Sequence, residues 1–553
     1  MAVQFDEILT RIGDFGFYQK RTYALLSLPA ISVGSFMMMV IVVMYTPEHR
    51  CKIPSLSNDS YKIQSIEHES IINITIPYNL DNDVKYDRCH IYIRDDTNDD
   101  SKQTNLTKVK CQQWVYDQSI FTRTFTSDLN LVCDNALKTS HVQMFFYFGV
   151  LVGDFLLGLL SDRIGRVKCM CIAFLLVIVS SVSVSFVREF YTFAVLQFVT
   201  GGCSHGGFMC ISVLGMEMVG PTKRLWTGML QQVFFAIGVC YLALMGYLAR
   251  DWMWINLACA LPCILYISYY WIIPESARWL MSMDRKNDAL TVIRKTVKVN
   301  KVNITESKYD VRQIDMEKSG SEGKLWHVFV NPVLRGRILI LSFNWMIVSM
   351  TYYGVTMNSG NMGGSFFLNF MLMGLVEIPG VFIGMALIDK TGRRWSNGGT
   401  MIVGGLACIS TIPVVLLGNT NLQPLAITLA LIGKCSAAAA FAIVYMFTAE
   451  ISPTVIRNAA MGLCSCCARI GGMLAPYIAK SGELIGGKFG VIEPLLVFGV
   501  LSIIAGLCLF LLPETLNKKL PDTIHEGEQF GRKPQSNNKD IELPFIPDNK
   551  NVS

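Results

Sequence analysis

Apolar residues in this chain fall into long, nearly unbroken runs separated by short charged stretches. Neither the strict alternation of a half-buried strand nor the single stripe of a surface helix dominates. A membrane helix needs roughly 20 mostly apolar residues to cross a hydrocarbon core of about 30 Å. Twelve stretches meet that length: Tyr23–Tyr45, His141–Leu160, Cys169–Phe186, Phe190–Leu214, Trp226–Leu248, Trp252–Ile273, Ile338–Thr356, Phe366–Ile388, Gly399–Leu417, Leu422–Phe447, Ala459–Ile478 and Pro494–Leu512. Several contain proline (Pro29, Pro262, Pro379, Pro413, Pro476), which a bilayer tolerates because neighbouring helices satisfy the freed backbone groups. The pattern predicts an all-α membrane protein of twelve transmembrane helices.

Composition supports the pattern. Only 16% of the 553 residues are charged and 52% are hydrophobic, whereas soluble domains carry about 25% charged residues. Disorder, collagen-like repeats and nucleic-acid binding are excluded, and a net charge of +6 is too mild to imply a polyanionic partner. The start, MAVQFDEILTRIGDFGFYQKR, is charged and weakly amphipathic with no small-residue cleavage site after the first apolar run. The first span is therefore expected to stay as an anchor.

Lys and Arg set the orientation. Arg11, Lys20 and Arg21 precede span 1, Arg163, Arg166 and Lys168 follow span 2, and residues 281–337 are rich in both. With alternating spans all of these share one side, which predicts cytoplasmic termini (1–22 and 514–553) and a cytoplasmic linker at 281–337. The 46–140 loop then lies outside. It is net acidic, carries glycosylation acceptors at Asn58, Asn73 and Asn105, and holds four cysteines, Cys51, Cys89, Cys111 and Cys133. Two disulfides with three alternative pairings follow. The acceptor triplets at Asn303 and Asn551 fall on the cytoplasmic side and are expected to stay unused, and the other cysteines read as small hydrophobes.

The chain repeats itself six spans apart. Asp162-Arg-Ile-Gly-Arg166 after span 2 returns as Asp389-Lys-Thr-Gly-Arg393 after span 8. Glu217 with Pro221 and Arg224 returns as Glu450 with Pro453 and Arg457, and Pro274-Glu275-Ser276 returns as Pro513-Glu514-Thr515. Three landmarks in the same order predict two six-helix bundles, 23–280 and 338–513, with a site between them near the midplane, as in major facilitator transporters.

These motifs carry a resemblance. The Asp-Arg-x-Gly-Arg loop resembles the major facilitator signature. The large loop after span 1, PESARWL at 274–280 and AEISPTVIRN at 449–458 are similar to the organic cation, organic anion and carnitine transporter family. The likeness runs from about the first residue to PETLNKKLPDTI at 513–524. It is strongest to insect-type organic cation transporter proteins, with carnitine-type members next. It implies transport of small organic ions across the plasma membrane by alternating access.

The repeated charges Asp162, Arg163, Arg166, Glu217 and Arg224, mirrored by Asp389, Arg393, Glu450 and Arg457, read as a pair of inner gates. Plain positive-inside topology is the alternative. Charge inside the membrane is more telling, since insertion costs at least about 2.5–3.5 kcal/mol at the bilayer centre. Glu377, Lys434 and Arg469 lie about half way along spans 8, 10 and 11, either as binding groups or as a structural ion network. Asp154 lies in the inner part of span 2, with two readings: a member of the helix-end charge cluster, or a substrate or proton group. The resemblance implies an acidic residue on span 11 of mammalian-type cation carriers and an arginine in anion and carnitine carriers. Arg469, in CCARIGGMLAP, follows the second pattern, so a zwitterion whose carboxylate is clamped by Arg469 reconciles the signals.

Aromatic residues supply a face for quaternary ammonium groups, at about 0.5–2 kcal/mol per contact. Trp345 and Tyr352 of span 7 are on one helical face, Tyr353 is adjacent, and the resemblance places these with Gln232 and Phe234 of span 5 at the cavity. Other motifs fall away. Gly433-Lys434-Cys435-Ser436 lacks the Ser or Thr directly after lysine that a phosphate loop needs. Cys464, Cys466 and Cys467 lie on different helical faces with no histidine, and His205 reads as a satisfied polar residue at a close helix contact. No enzyme activity, cofactor, metal or nucleic-acid partner is expected, and self-association stays open. The reading is a transporter of small organic cations or carnitine-like zwitterions, with an organic anion exchanger and a non-transporting sensor on a carrier fold as alternatives.

Overall fold

The structure is a computed structural model that describes residues 2–78, 86–94, 106–305, 309–311, 330–358, 364–417, 422–485, 487–518 and 520–531. All twelve expected spans are helices. They are span 1 (Phe17–Val43), span 2 (Leu137–Ile164), span 3 (Arg166–Phe186), span 4 (Phe190–Met218), span 5 (Arg224–Ala249), span 6 (Trp252–Ile272), span 7 (Pro332–Met357), span 8 (Phe366–Thr391), span 9 (Arg393–Leu417), span 10 (Gln423–Ile451), span 11 (Arg457–Ile485) and span 12 (Gly487–Leu509).

Several helices run past the apolar stretch that marked them. Span 1 takes in Lys20 and Arg21, and span 7 begins at Pro332 and takes in Arg335 and Arg337, ahead of the expected start at Ile338. Hydropathy marks the hydrocarbon portion, whereas the helix ends where its caps are. Asn331 accepts from the backbone N–H groups of Val333 and Leu334, and Pro332 occupies the first turn where its missing N–H is harmless.

The two halves share a packing plan. Span 1 packs on span 5, span 2 on span 4 and span 3 on span 6; span 7 packs on span 11, span 8 on span 10 and span 9 on span 12. Spans 2 and 11 meet across the halves, as do spans 8 and 5, and these two contacts are exchanged by the same two-fold relation. Small residues permit the close pairs. A Cβ built at Gly153 of span 2 would overlap the backbone of Gly202 on span 4. Gly153→Leu should therefore force these helices apart and destabilise the purified protein by about 1–3 kcal/mol or more. A melting temperature unchanged from wild type would contradict this.

One end of the bundle carries a folded cap. Strand β1 (His49–Cys51) pairs antiparallel with β4 (Trp114–Tyr116), and β2 (His90–Arg94) with β3 (Leu106–Lys110). A helix at Ile66–Thr75 lies beside them. Cys51 is joined to Cys111 and Cys89 to Cys133, which resolves the pairing. In the cap, Asp59 accepts from Arg50 at 2.5 Å and from His68 at 3.1 Å. Burial alone would raise its carboxyl, but Arg50, the Ile53 N–H and His68 more than offset this and hold it below the ordinary carboxylate range. Among the glycosylation acceptors, Asn58 is exposed, Asn73 is half-buried and accepts from the Tyr78 and Tyr86 hydroxyls, and Asn105 lies outside the described residues.

The opposite end carries the N-terminal helix, the helix Lys286–Asn300 and the short helix Ile524–Gln529, whose Glu528 accepts from Asn331 at the start of span 7. The amphipathic helix Ala2–Arg11 buries Phe5, Ile8 and Leu9 against Trp279, Leu290 and Ile293, and its Asp6 accepts from both Arg224 and Arg278 at 2.6 Å.

A paired-charge cavity between the two halves

The midplane cavity is lined by Met37 of span 1, His205 and Phe208 of span 4, and Gln232 and Phe235 of span 5. From the second half come Tyr352 and Tyr353, Glu377 and Val381, Ala438, Phe441, Ala442 and Tyr445, and Arg469. Its free volume is about 70 Å³, well below the roughly 300–1,000 Å³ of a typical ligand pocket. The chamber is closed down.

Glu377 is placed by a broken helix. Pro379 cannot donate to the carbonyl of Leu375 and its ring crowds that carbonyl, so span 8 divides into Phe366–Leu375 and Glu377–Thr391. Glu377 then opens the second segment, where the free N–H groups and helix dipole favour a carboxylate. It accepts from Lys434 Nζ at 2.9 Å and from the Tyr352 hydroxyl at 2.7 Å. Lys434 is fully buried behind it, 3.1 Å from the centroid of the Tyr352 ring and 3.3 Å from the Tyr352 carbonyl oxygen. The ammonium is thus satisfied within the second half and does not line the cavity.

The other charged group bridges the halves. Arg469 on span 11 reaches Asp154 of span 2 at 3.2 Å, and its guanidinium lies 3.0 Å from His205 Nε2 on span 4. His205 Nδ1 in turn lies 2.6 Å from Asp154 Oδ1. Of the two readings of Asp154, membership of the helix-end cluster is excluded by this geometry: its partners are His205 and Arg469. Residues 154 and 162 are two helical turns apart, and that separation carries Asp154 to the level of Arg469. His205 is indeed a satisfied polar residue, and it is also part of this clasp. Sequence spacing held no signal for the contact, because its members come from helices far apart in the chain.

Aromatic placement differs from the periodicity in detail. Tyr352 and Tyr353 line the cavity, with Tyr353 meeting Tyr147 of span 2 at a ring separation of 4.7 Å. Trp345 is buried one layer away; its indole N–H donates to Thr448 at 2.9 Å and its ring packs on Tyr445 at 4.3 Å. Phe441 sits between Trp345 and Tyr352, 6.1 and 5.8 Å from them, so the shared face exists but only its Tyr352 end reaches the cavity. On span 5 Gln232 and Phe235 line the space, while Phe234 packs against the main core. The helical rotation of about 100° between neighbours separates the two rings.

At the cap end the halves are sealed by rings. Phe366 meets Tyr45 at 4.9 Å and Phe121 at 5.4 Å, and Phe367 meets Phe121 and Tyr247. Ser140 donates to the Pro476 carbonyl and Lys480 to Thr46. Toward the other end the contact is aliphatic: Met229 of span 5 clusters with Val381, Ile388 and Ile443.

The repeated motifs form two matching locks at that end. Arg166 pairs with Asp162 at 2.7 Å and Glu217 at 3.3 Å; Arg393 pairs with Glu450 at 2.9 Å. Glu275 accepts from the backbone N–H groups of Arg166 and Val167, and Glu514 from those of Arg393 and Arg394. Burial raises the Glu275 carboxyl above its ordinary value, against the opposing pull of the Ser276, Val167 and Arg166 N–H groups. Gly165 (φ +108°) and Gly392 (φ +87°) make the turns, where a Cβ would strike the same two carboxylates. Each lock ties helix ends within one half, and neither bridges the halves. Arg224 belongs to Asp6 rather than to Glu217, and Arg163, Asp389 and Arg457 make no ion pair among the described residues.

Residues 95–524 match the model of the sugar (and other) transporter family. The organic cation transporter protein of Drosophila melanogaster is 35% identical, covering 96% of this chain and 95% of the relative. Solute carrier family 22 member 13 of Homo sapiens is 31% identical, with 96% and 94% covered. Organic cation transporter 1 of Caenorhabditis elegans is 30% identical, with 96% and 89% covered. In fold alone, the inward open xylose transporter XylE from E. coli is similar at a TM-score of 0.61 and 14% identity, with 91% of this chain and 98% of that chain covered. These relatives are transporters rather than enzymes. Twelve spans in two equivalent halves, the doubled locks and these relatives together show that the chain is a multi-pass membrane transporter of the organic cation, organic anion and carnitine family within the major facilitator superfamily.

Proposed function

We propose that this protein carries small organic cations and carnitine-like zwitterions across the plasma membrane by alternating access. The observation that carries this reading is the charge pairing of the cavity. Both of its cations are neutralised by carboxylates, Lys434 by Glu377 and Arg469 by Asp154. Of these four groups Glu377 and Arg469 face the space, together with His205 and the rings of Phe208, Phe235, Tyr352, Tyr353, Phe441 and Tyr445, while the Lys434 ammonium is held behind Glu377. Aromatic faces and a carboxylate favour a quaternary or protonated nitrogen. Several weak, non-directional contacts of this kind suit a broad substrate range. The names of the relatives, organic cation transporters among them, point the same way.

Alternating access is supported by the symmetry of the inter-half contacts and by the small cavity. Admitting a substrate requires the halves to part, at the aromatic seal or at the aliphatic one. The locks at Arg166 and Arg393 keep each half rigid while it rocks. A carboxylate on the substrate gains a partner when it displaces Asp154 from Arg469, and an organic anion exchanger is the second reading on that ground.

Uptake of labelled tetraethylammonium, carnitine and an aromatic monocarboxylate in cells expressing the chain tests the reading. Saturable uptake of the first two, with inward current for tetraethylammonium under voltage clamp, is expected. Accumulation of the monocarboxylate alone would favour the anion exchanger, and surface-expressed protein that moves none of them would end the proposal.

A further inference from the structure

Three features of the molecule have roles that the transport reading does not exhaust: the His205–Asp154–Arg469 clasp, the N-terminal helix held through Asp6, and an apolar crevice between spans 5 and 8. The crevice is lined by Trp226, Met229, Val381 and Phe382, with Lys223 at its edge. The clasp carries an inference furthest, because it sets one imidazole against both a carboxylate of the first half and a guanidinium of the second.

Arginine has five N–H donors and no acceptor. Arg469 Nη2 lies 3.0 Å from His205 Nε2 and 3.4 Å from Nδ1, so the guanidinium rests against the imidazole as a whole and not on one nitrogen. The ionised Asp154 carboxylate only accepts, so the ring proton sits on Nδ1 and donates to Asp154 Oδ1 at 2.6 Å, which leaves Nε2 with its lone pair. The neutral imidazole is the form that adds no charge beside the guanidinium. A proton arriving at Nε2 would set a positive charge directly against the guanidinium. Asp154 would then be shared between two cations, one from each half.

We propose that His205 Nε2 is a proton-binding site that controls the clasp between the halves and makes substrate choice depend on pH. Resting on the function proposed above, it deepens that reading by naming the proton as a second ligand. No bond other than N–H is made: the proton comes from water on the loading side and returns to water when the site deprotonates. With His205 protonated, Arg469 is pushed from the ring, and the cavity gains one positive charge. A carboxylate-bearing substrate is then favoured and a permanent cation disfavoured. With His205 neutral, Arg469 stays clasped and cations are favoured.

Other groups do not supply this switch. Asp154 on span 2 and Arg469 on span 11 are the charged groups that meet the ring. Tyr147 of span 2, Tyr353 of span 7 and Tyr445 of span 10 stand around Arg469, and Glu377 lies elsewhere on the cavity wall, engaged by Lys434. A tyrosine or an arginine does not exchange protons between about pH 5 and 8, and an imidazole does.

The test compares carnitine with tetraethylammonium, whose charges are constant over that range. Lowering the external pH from about 7.5 to about 5.5 should raise the carnitine-to-tetraethylammonium uptake ratio about threefold or more in wild type. His205→Gln should leave the ratio flat, and His205→Lys should hold it at the acidic value. A flat wild-type ratio, or a slope that persists in His205→Gln, overturns the inference. A second reading needs no transport. The purified wild-type protein should lose melting temperature on the same acidification, because protonation opposes the clasp, and His205→Gln should lose measurably less. If no substrate is carried but this difference stands, the function proposal fails and the proton site survives. If the two proteins shift equally, the proton site fails.

Discussion

Lys434→Met is expected to leave little folded protein. Lys434 has no exposed surface, and it is the cation that Glu377 faces at 2.9 Å inside the second half. Removing one member of a buried pair strands the other charge away from water, at about 3–5 kcal/mol. That is a large fraction of the roughly 5–15 kcal/mol by which a typical domain is stable. Surface expression and the melting temperature of the detergent-purified protein should both fall sharply. Adding Glu377→Gln should restore much of the loss, because the amide oxygen still accepts from Tyr352 and no charge remains. Tetraethylammonium uptake should stay poor in the double variant, since the carboxylate facing the cavity is gone. Equal stability of wild type and Lys434→Met would show that the pair does not hold the second half together.

Arg469→Ala is expected to separate the two substrate classes. A hydrogen bond to a charged group contributes about 1.5–3 kcal/mol, which is about 10–100-fold in transport of a substrate whose carboxylate uses that guanidinium. Carnitine uptake should drop by that factor, and tetraethylammonium uptake should drop less. Part of any common loss comes from Asp154, which among the described residues is left with His205 as its partner. Arg469→Ala combined with Asp154→Asn should recover that common part while carnitine stays poor. An equal loss for both substrates at normal surface expression would assign Arg469 to holding the halves together and remove it from substrate binding.

Both predictions turn on partners that the linear pattern did not reveal. Glu377, Lys434 and Arg469 stood out as buried charges because apolar runs make any charge conspicuous. Nothing along the chain showed that Lys434 would be satisfied by Glu377 and Tyr352, or that Arg469 would be bound to Asp154. Pairing is a matter of helix rotation and inter-helix register, which a run of apolar residues leaves open. The same cause explains Trp345 and Phe234. Periodicity assigned Trp345 correctly to the face it shares with Tyr352, but depth and tilt decided that only Tyr352 reaches the space. The resemblance named span 5, and rotation selected Phe235 over its neighbour.

The repeated motifs were more legible, since each encodes a local conformation. A glycine held at positive φ before an arginine, and a Pro-Glu-Ser or Pro-Glu-Thr tripeptide, specify turns and caps that form within a few residues. Their doubling carried over into two equivalent locks at Gly165–Arg166 and Gly392–Arg393. Their partners across the helix ends, Glu217 with Glu275 and Glu450 with Glu514, could be read as repeats but not as contacts.

By itself the sequence determined the twelve spans, the two equivalent halves and the family, because membrane insertion is written residue by residue in hydropathy and because turn chemistry is local. The tertiary structure alone decided the disulfide pairing, the neutralisation of every cavity charge and the clasp of His205, Asp154 and Arg469. Those depend on which helix faces meet, and that is set by packing between residues hundreds of positions apart.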